Sequence, residues 1–241
     1  MTSRTDKYGR IIDYMRVSII DRCNLRCRYC MPTDIQWLPP GEILALEEIA
    51  EICRQAARAG IRKIKITGGE PLIRKGCIEL IHMIKAIPGI EQVTLTTNGV
   101  LLAQYAGQLY DEGIDAVNVS LDTLDREKYK EITGFDALSD VLNGIAEIEK
   151  YKIPLKINVV PQRGVNDGDC LNLVELARHR AIDVRFIEMM PIGHGKQFTS
   201  ISNQELLQKI QERYGQVEDE KKVHGNGPAS YCHIPGFLGS I

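Results

Sequence analysis

With 241 residues, 44% of them hydrophobic, the chain is long enough for one large α/β domain or two small ones, and apolar enough to bury a core. Lys and Arg number 30 against 32 Asp and Glu; the formal net charge of −2 excludes a generally basic surface for nucleic acid or membrane, so any phosphate must be held by a local cluster of cations. No apolar run approaches the roughly 20 residues that span a bilayer. The opening MTSRTDKYGRIIDYMR lacks the apolar segment of an export signal, so a cytoplasmic setting is expected, where the seven cysteines are thiols or metal ligands rather than a disulfide framework.

In chain order, a β-branched run predicts a first strand at Arg16–Ile20, followed directly by a cysteine-rich loop, DRCNLRCRYCMP. A helical period covers Leu46–Ala59 and stops at Gly60; a strand follows at Lys63–Thr67 and runs into TGGEP. The alternation continues with a helix at Cys77–Ala86 closed near Pro88-Gly89, a strand at Gln92–Thr97, a helix at Leu101–Glu112 closed by Gly113, and a strand at Ala116–Leu121. A helix at Leu138–Tyr151, a strand at Leu155–Val160, a helix at Cys170–Arg180 and a strand at Val184–Glu188 complete the series. Strand–helix alternation with connections of this length means βα units on a parallel sheet. Six units predict a partial (β/α)6 TIM-like barrel rather than the full eight. The pattern changes after Pro191, so residues 1–192 are expected to form the barrel core and 193–241 the start of a C-terminal region. There, GHGKQF lacks phosphate-loop spacing and is taken as a loop, Asn203–Tyr214 as a helix, EDEKKVHGNGP as a solvated turn, and the final GFLGSI as the start of a strand.

The strands carry a second signal. Alternate residues face opposite sides of a sheet. Lys63, Lys65 and Thr67 share one face against Ile64 and Ile66; Asn118 and Ser120 oppose Val117, Val119 and Leu121; Lys156 and Asn158 oppose Ile157 and Val159; Arg16 and Ser18 oppose Val17 and Ile19. A filled barrel interior is Val, Ile and Leu. Lysines also protect exposed sheet edges, but four strands with the same polar face favour a cavity for a polar ligand.

The loop after the first strand places Cys23, Cys27 and Cys30 in a C-x3-C-x2-C spacing, at the functional end of a parallel barrel. A structural zinc site closes with four ligands. Three thiolates suit an iron–sulfur cluster with one iron left open to a small molecule, or a zinc site completed by a distant Cys or His. Arg22, Arg26 and Arg28 favour thiolate and offset cluster charge. In TGGEP, Gly68 and Gly69 permit close backbone approach and Glu70 is read as fixing the loop. Cys53, Cys77 and Cys170 read as small buried hydrophobes. His82, His179, His194, His224 and His233 show no metal-ligand spacing.

The cysteine loop and TGGEP together resemble the radical S-adenosylmethionine superfamily. RVSIIDRCNLRCRYCMP, KIKITGGEPLIR, LTTNGVLL, NVSLDTLD, KINVVPQRGVND and VRFIEMMPIG narrow the resemblance to the molybdenum cofactor biosynthesis protein A (GTP 3′,8-cyclase) family, from about Asp13 to Ile241. The resemblance implies a radical enzyme, a lyase, that converts GTP to 3′,8-cyclo-7,8-dihydro-GTP through a 5′-deoxyadenosyl radical. Cys23, Cys27 and Cys30 match ligands of a 4Fe–4S cluster; Tyr29, Gly69, Thr96, Ser120, Lys156 and Met190 match positions that contact S-adenosylmethionine; Arg16, Lys63, Lys65 and Arg185 match positions that hold the triphosphate of GTP. Lys65 stands where the family has Arg, a point charge in place of a bidentate fork. The implied partners are an electron donor, cyclic pyranopterin monophosphate synthase as the next enzyme, and a second copy in a homodimer. The family also carries a second cluster on C-terminal cysteines; Cys232 is the only cysteine after Cys170, so one cluster and a truncated C-terminal region are expected here, the alternative reading being a truncated fragment that is inactive or only cleaves S-adenosylmethionine. Two other readings are a radical enzyme acting on a peptide, which the inward cations disfavour, and a silent iron–sulfur or zinc scaffold.

Overall fold

The computed structural model describes residues 5–31, 35–191, 193–220, 224–225, 227 and 229–241. Six strands, β1 (Tyr14–Ser18), β2 (Lys63–Thr67), β3 (Gln92–Thr97), β4 (Ala116–Ser120), β5 (Leu155–Val159) and β6 (Ile182–Phe186), form one parallel sheet in the order of the sequence. Helical crossovers join them: α1 (Leu46–Arg58), α2 (Cys77–Lys85), α3 (Leu102–Asp111), α4 (Arg126–Thr133) with α5 (Leu138–Lys150), and α6 (Cys170–Val174). This is the topology of a partial (β/α) barrel, as expected. The chain divides into two compact units, one of residues 1–24, 36–118 and 143–154, the other of 25–35, 119–142 and 155–241.

In the first unit β1 pairs with β2 and β2 with β3, all parallel, with Tyr14 opposite Lys63 and Arg16 opposite Lys65. The period-2 pattern of β2 works as read: Ile64 and Ile66 are buried while Lys63, Lys65 and Thr67 are half-buried. With the buried isoleucines, the apolar stripes of α1 (Ile49, Ala50, Cys53) and α2 (Leu80, Ile81, Ile84) contribute the buried core of this unit. The first strand lies two residues earlier than its β-branched run suggested. Ile19 N–H still reaches Thr67 O at 2.9 Å, but Ile20 O is taken by Gly69 N–H, so the ladder ends as the loop begins.

In the second unit β5 and β6 pair in parallel with Lys156 opposite Asp183 and Asn158 opposite Arg185. Sheet register places β6 at Ile182–Phe186, two residues ahead of the expected span. The helix expected over Cys170–Arg180 tightens after Val174 into a single 3-10 turn at Glu175–Ala177. α4 was not expected: its sequence REKYKEIT is mostly charged, and only Tyr129, Ile132 and Thr133 are buried. Beyond β6 lie α7 (Asn203–Tyr214), as read, and an antiparallel pair, β7 (Glu218–Asp219) with β8 (Cys232–His233). GFLGSI forms no strand; Ile241 exchanges two hydrogen bonds with Cys232 and Ser240 O accepts Val184 N–H. Part of the EDEKKVHGNGP stretch, with Pro32 and Ile192 of the two quoted motifs and the start of the N-terminal segment, falls outside the described residues.

Candidate functional site

In the first unit the cysteine loop and TGGEP are joined through backbone. Gly69 N–H donates to Ile20 O at 2.6 Å and Glu70 N–H to Arg22 O at 2.8 Å. A Cβ at Gly69 would stand 2.1 Å from Arg22 O. The glycine is therefore required by the approach of the cysteine loop's own backbone, a reason additional to room for a ligand. Glu70 is fully buried and accepts three hydrogen bonds: Leu72 N–H (3.0 Å), Thr97 Oγ1 (2.7 Å) and Asn98 N–H (2.6 Å). Burial pushes its carboxyl above the usual range and these donors pull it back only in part. Its role as the fixing residue of the loop holds, and it ties TGGEP to the turn after β3.

That turn carries Asn98, whose side chain reaches the first cysteine. Its Nδ2 lies 2.7 Å from Asn24 Oδ1 and 3.5 Å from Cys23 Sγ, and its Oδ1 accepts Val100 N–H at 3.0 Å. Thr96, half-buried, meets Asn118 Nδ2 at 3.4 Å. Asn118 also donates to Leu95 O at 3.2 Å, so this polar strand residue is used to bond its neighbour strand. Among the cations, Arg16 is exposed, Lys63 is paired with Asp13 at 2.8 Å, and Lys65 sits 5.9 Å over the Tyr14 ring.

In the second unit the rest of the loop is braced by α4: Arg26 N–H donates to Thr133 O (2.8 Å) and Arg28 N–H to Ile132 O (2.9 Å), while Cys30 N–H closes a turn on Cys27 O. Cys30 is exposed and Cys27 half-buried. Between them Tyr29 donates its hydroxyl to Asp122 Oδ2 at 2.7 Å; Asp122 Oδ1 accepts Val160 N–H at 2.8 Å. Burial first, then the Asp122 carboxylate, pushes the Tyr29 hydroxyl well above its ordinary value. Burial likewise lifts Asp122 to about 6 against the two donors.

Lys156 is buried and committed: its Nζ pairs with Asp183 Oδ2 at 2.5 Å and approaches the Tyr231 hydroxyl at 3.3 Å. His224 Nδ1 shares the same Asp183 oxygen at 2.9 Å and stacks on Tyr231. Burial pushes the Asp183 carboxyl up, but Lys156 and His224 outweigh it and hold it below the usual range. Arg185 donates to Asn158 Oδ1 at 2.7 Å and lines a cavity of about 440 Å³ with Asn203, Asp219, Tyr231 and the leucines of α7. Ser120 is half-buried at the end of β4, and Met190, 66% exposed, faces solvent.

Asn98 and Asp122 escaped the sequence reading, although both lie in stretches it singled out, LTTNGVLL and NVSLDTLD. Cys53, Cys77 and Cys170 are buried, and burial pushes their thiols up to about 11, 12 and 11. Their burial separates them from the loop cysteines, of which Cys23 and Cys27 are half-buried and Cys30 exposed. Among the described residues no three His, Cys, Asp or Glu side chains gather closely enough to hold one ion. Three loop thiols, with an amide donor near the sulfur of Cys23, fit an iron–sulfur cluster by donor chemistry.

Residues 17–177 match the model of the radical SAM superfamily. A GTP 3′,8-cyclase of Clostridium perfringens (strain SM101 / Type A) is 44% identical over 237 residues, covering 98% of this chain and 73% of that protein. A GTP 3′,8-cyclase of Syntrophomonas wolfei is 45% identical over 241 residues, covering 98% and 74%. Among solved structures, Streptococcus suis SuiB bound to S-adenosylmethionine superposes with a TM-score of 0.67 at 18% identity, over 83% of this chain and 46% of that one; this likeness shows the fold alone.

Proposed function

Because the chain belongs to the GTP 3′,8-cyclase family of the radical SAM superfamily, we propose that it is a radical lyase converting GTP to 3′,8-cyclo-7,8-dihydro-GTP, the first step of molybdenum cofactor biosynthesis. The observation that carries this reading is 44% identity sustained over 98% of the chain. Cys23, Cys27 and Cys30 would hold a 4Fe–4S cluster. When bound, the cluster and S-adenosylmethionine supply reductive sulfonium cleavage and a 5′-deoxyadenosyl radical that takes the ribose 3′ hydrogen of GTP.

The chain's own part is positioning and charge. Glu70 anchors the loop on which Gly69 would meet S-adenosylmethionine, through three hydrogen bonds. Asp122 holds the hydroxyl of Tyr29 and so restrains the segment between Cys27 and Cys30. Thr96, Ser120, Lys156 and Met190 complete the set proposed for the same cofactor. Arg16, Lys63, Lys65 and Arg185 are proposed for the triphosphate; Lys63 must exchange Asp13 for phosphate, and Lys65 offers a point charge without a fork. An electron donor, cyclic pyranopterin monophosphate synthase as the next enzyme, a homodimeric state and a cytoplasmic setting belong to the same proposal. No helix among the described residues is long and apolar enough to cross a membrane.

The test is anaerobic reconstitution with iron and sulfide, reduction with dithionite, and measurement of 5′-deoxyadenosine formed with GTP present. The expected result is release from the parent chain and none from Cys27→Ala. A cluster-loaded chain that releases none, or equal release from both, overturns the reading.

A further inference from the structure

The sulfur of Cys23 has a polar hydrogen aimed at it from a side chain with no assigned role. Asn98 Oδ1 accepts Val100 N–H at 3.0 Å, which fixes the amide orientation by chemistry, because a flipped amide would set its NH2 against an N–H donor. With the oxygen so placed, Nδ2 donates to Asn24 Oδ1 at 2.7 Å and faces Cys23 Sγ at 3.5 Å. The backbone is held as firmly: Asn98 N–H donates to Glu70 Oε2 at 2.6 Å, and Glu70 is itself anchored by Leu72 and Thr97. The donor is therefore preorganised by bonds that do not involve the sulfur. The turn and the link to Asn24 already satisfy the structural needs of Asn98, and the hydrogen toward Cys23 is additional to them.

Resting on the reading of Cys23 as a cluster ligand, we propose that Asn98 is a positioning and tuning residue whose amide N–H donates to that ligand's sulfur and raises the reduction potential of the cluster. An N–H···S bond withdraws electron density from the thiolate and stabilises the more negative, reduced cluster. The reduced state is the one that must be reached before S-adenosylmethionine can be cleaved, so the bond acts on the electron-transfer step and not on GTP.

Two variants separate tuning from structure. Asn98→Ser retains a hydroxyl that can accept Val100 N–H but loses the NH2. Asn98→Asp keeps Oδ1 for Val100 and places an oxygen where the NH2 stood. Iron content and the midpoint potential, read by optical and EPR redox titration of the reconstituted chain, are the measurements. Both variants are expected to hold a cluster with a more negative potential than the parent, the Asp variant more so. Loss of the cluster from the Asp variant alone, with the Ser variant shifted, also supports the proposal, since a carboxylate facing the sulfur repels the thiolate. Potentials that coincide with the parent overturn it, and cluster loss from both variants overturns it in favour of a purely structural role. A parent chain that takes up no cluster overturns the reading of Cys23 as a ligand, and the proposal falls with it; coincident potentials in loaded chains overturn the proposal alone.

Discussion

Asp122 is 7% exposed and, among the described residues, its carboxylate accepts two hydrogen bonds, so dehydration outweighs its partners and its pKa rises to about 6 from 3.8. The folded chain therefore keeps a proton that the unfolded chain releases between pH 3.8 and about 6. This group's favourable contribution is full below that window and lost as pH rises through it. Holding the carboxylate ionised in the fold costs about 3 kcal/mol at one pKa unit per ~1.36 kcal/mol. Asn at this position accepts from Val160 and can donate to the Tyr29 oxygen. Asp122→Asn should thus gain about 2–3 kcal/mol relative to the parent between pH 4 and pH 8. Urea unfolding at both pH values checks this, and a pH-independent difference would count against it. Glu70 is likewise buried and raised by burial, but its carboxylate accepts three hydrogen bonds. Glu70→Gln keeps Oε1 for Leu72 and Thr97 but turns an NH2 toward Asn98 N–H. The unpaired donor should cost about 1–3 kcal/mol, read as a lower thermal midpoint.

α4 shows how an element with a weak core signal can still hold a functional loop. Asp125 Oδ1 caps its N-terminus by accepting Lys128 N–H at 2.9 Å, and its last turn supplies the carbonyls of Ile132 and Thr133 that hold Arg28 and Arg26. Asp125→Ala should cost about 1 kcal/mol. Amide exchange should quicken at Arg26 and Arg28 along with α4; exchange that rises in α4 alone would mean the loop is braced by something else. The same helix marks the limit of what the sequence makes legible. β2, β3 and α7 follow their expected spans because period-2 or period-3.6 patterns there coincide with sharp stop signals. α4 has two turns, and three buried residues in eight, two of them adjacent, do not define a period. β1 and β6 slip by two residues because a strand's ends are set by its partner's register and not by its own β-branched run. The cysteine loop was visible in its C-x3-C-x2-C spacing, and Glu70 in TGGEP read together with that loop. Asn98 and Asp122 were not, because an Asn or Asp after a strand reads as ordinary turn chemistry until its side chain is seen to reach a distant group.

At the scale of the whole chain, a net charge of −2 means that affinity for a polyanion must come from a few placed cations. Arg16 and Lys65 lie in register on neighbouring strands. If they hold phosphate, Lys65→Ala should weaken GTP binding about 10- to 100-fold, as loss of a charge-assisted bond of ~1.5–3 kcal/mol predicts. Titration calorimetry at two salt concentrations would show it, with the parent losing affinity to salt more steeply than the variant; equal affinities would remove Lys65 from the site. The burial of Cys53, Cys77 and Cys170, whose thiols are shifted far from neutrality, has a use in a different kind of experiment. Brief alkylation of the native apoprotein should tag at most Cys23, Cys27, Cys30 and Cys232, and denaturant should open all seven. Intact mass then resolves the two populations as a ladder of adducts. Three rungs of the native ladder belong to the loop, so their loss on loading would count occupied ligands molecule by molecule, without a substrate or a turnover.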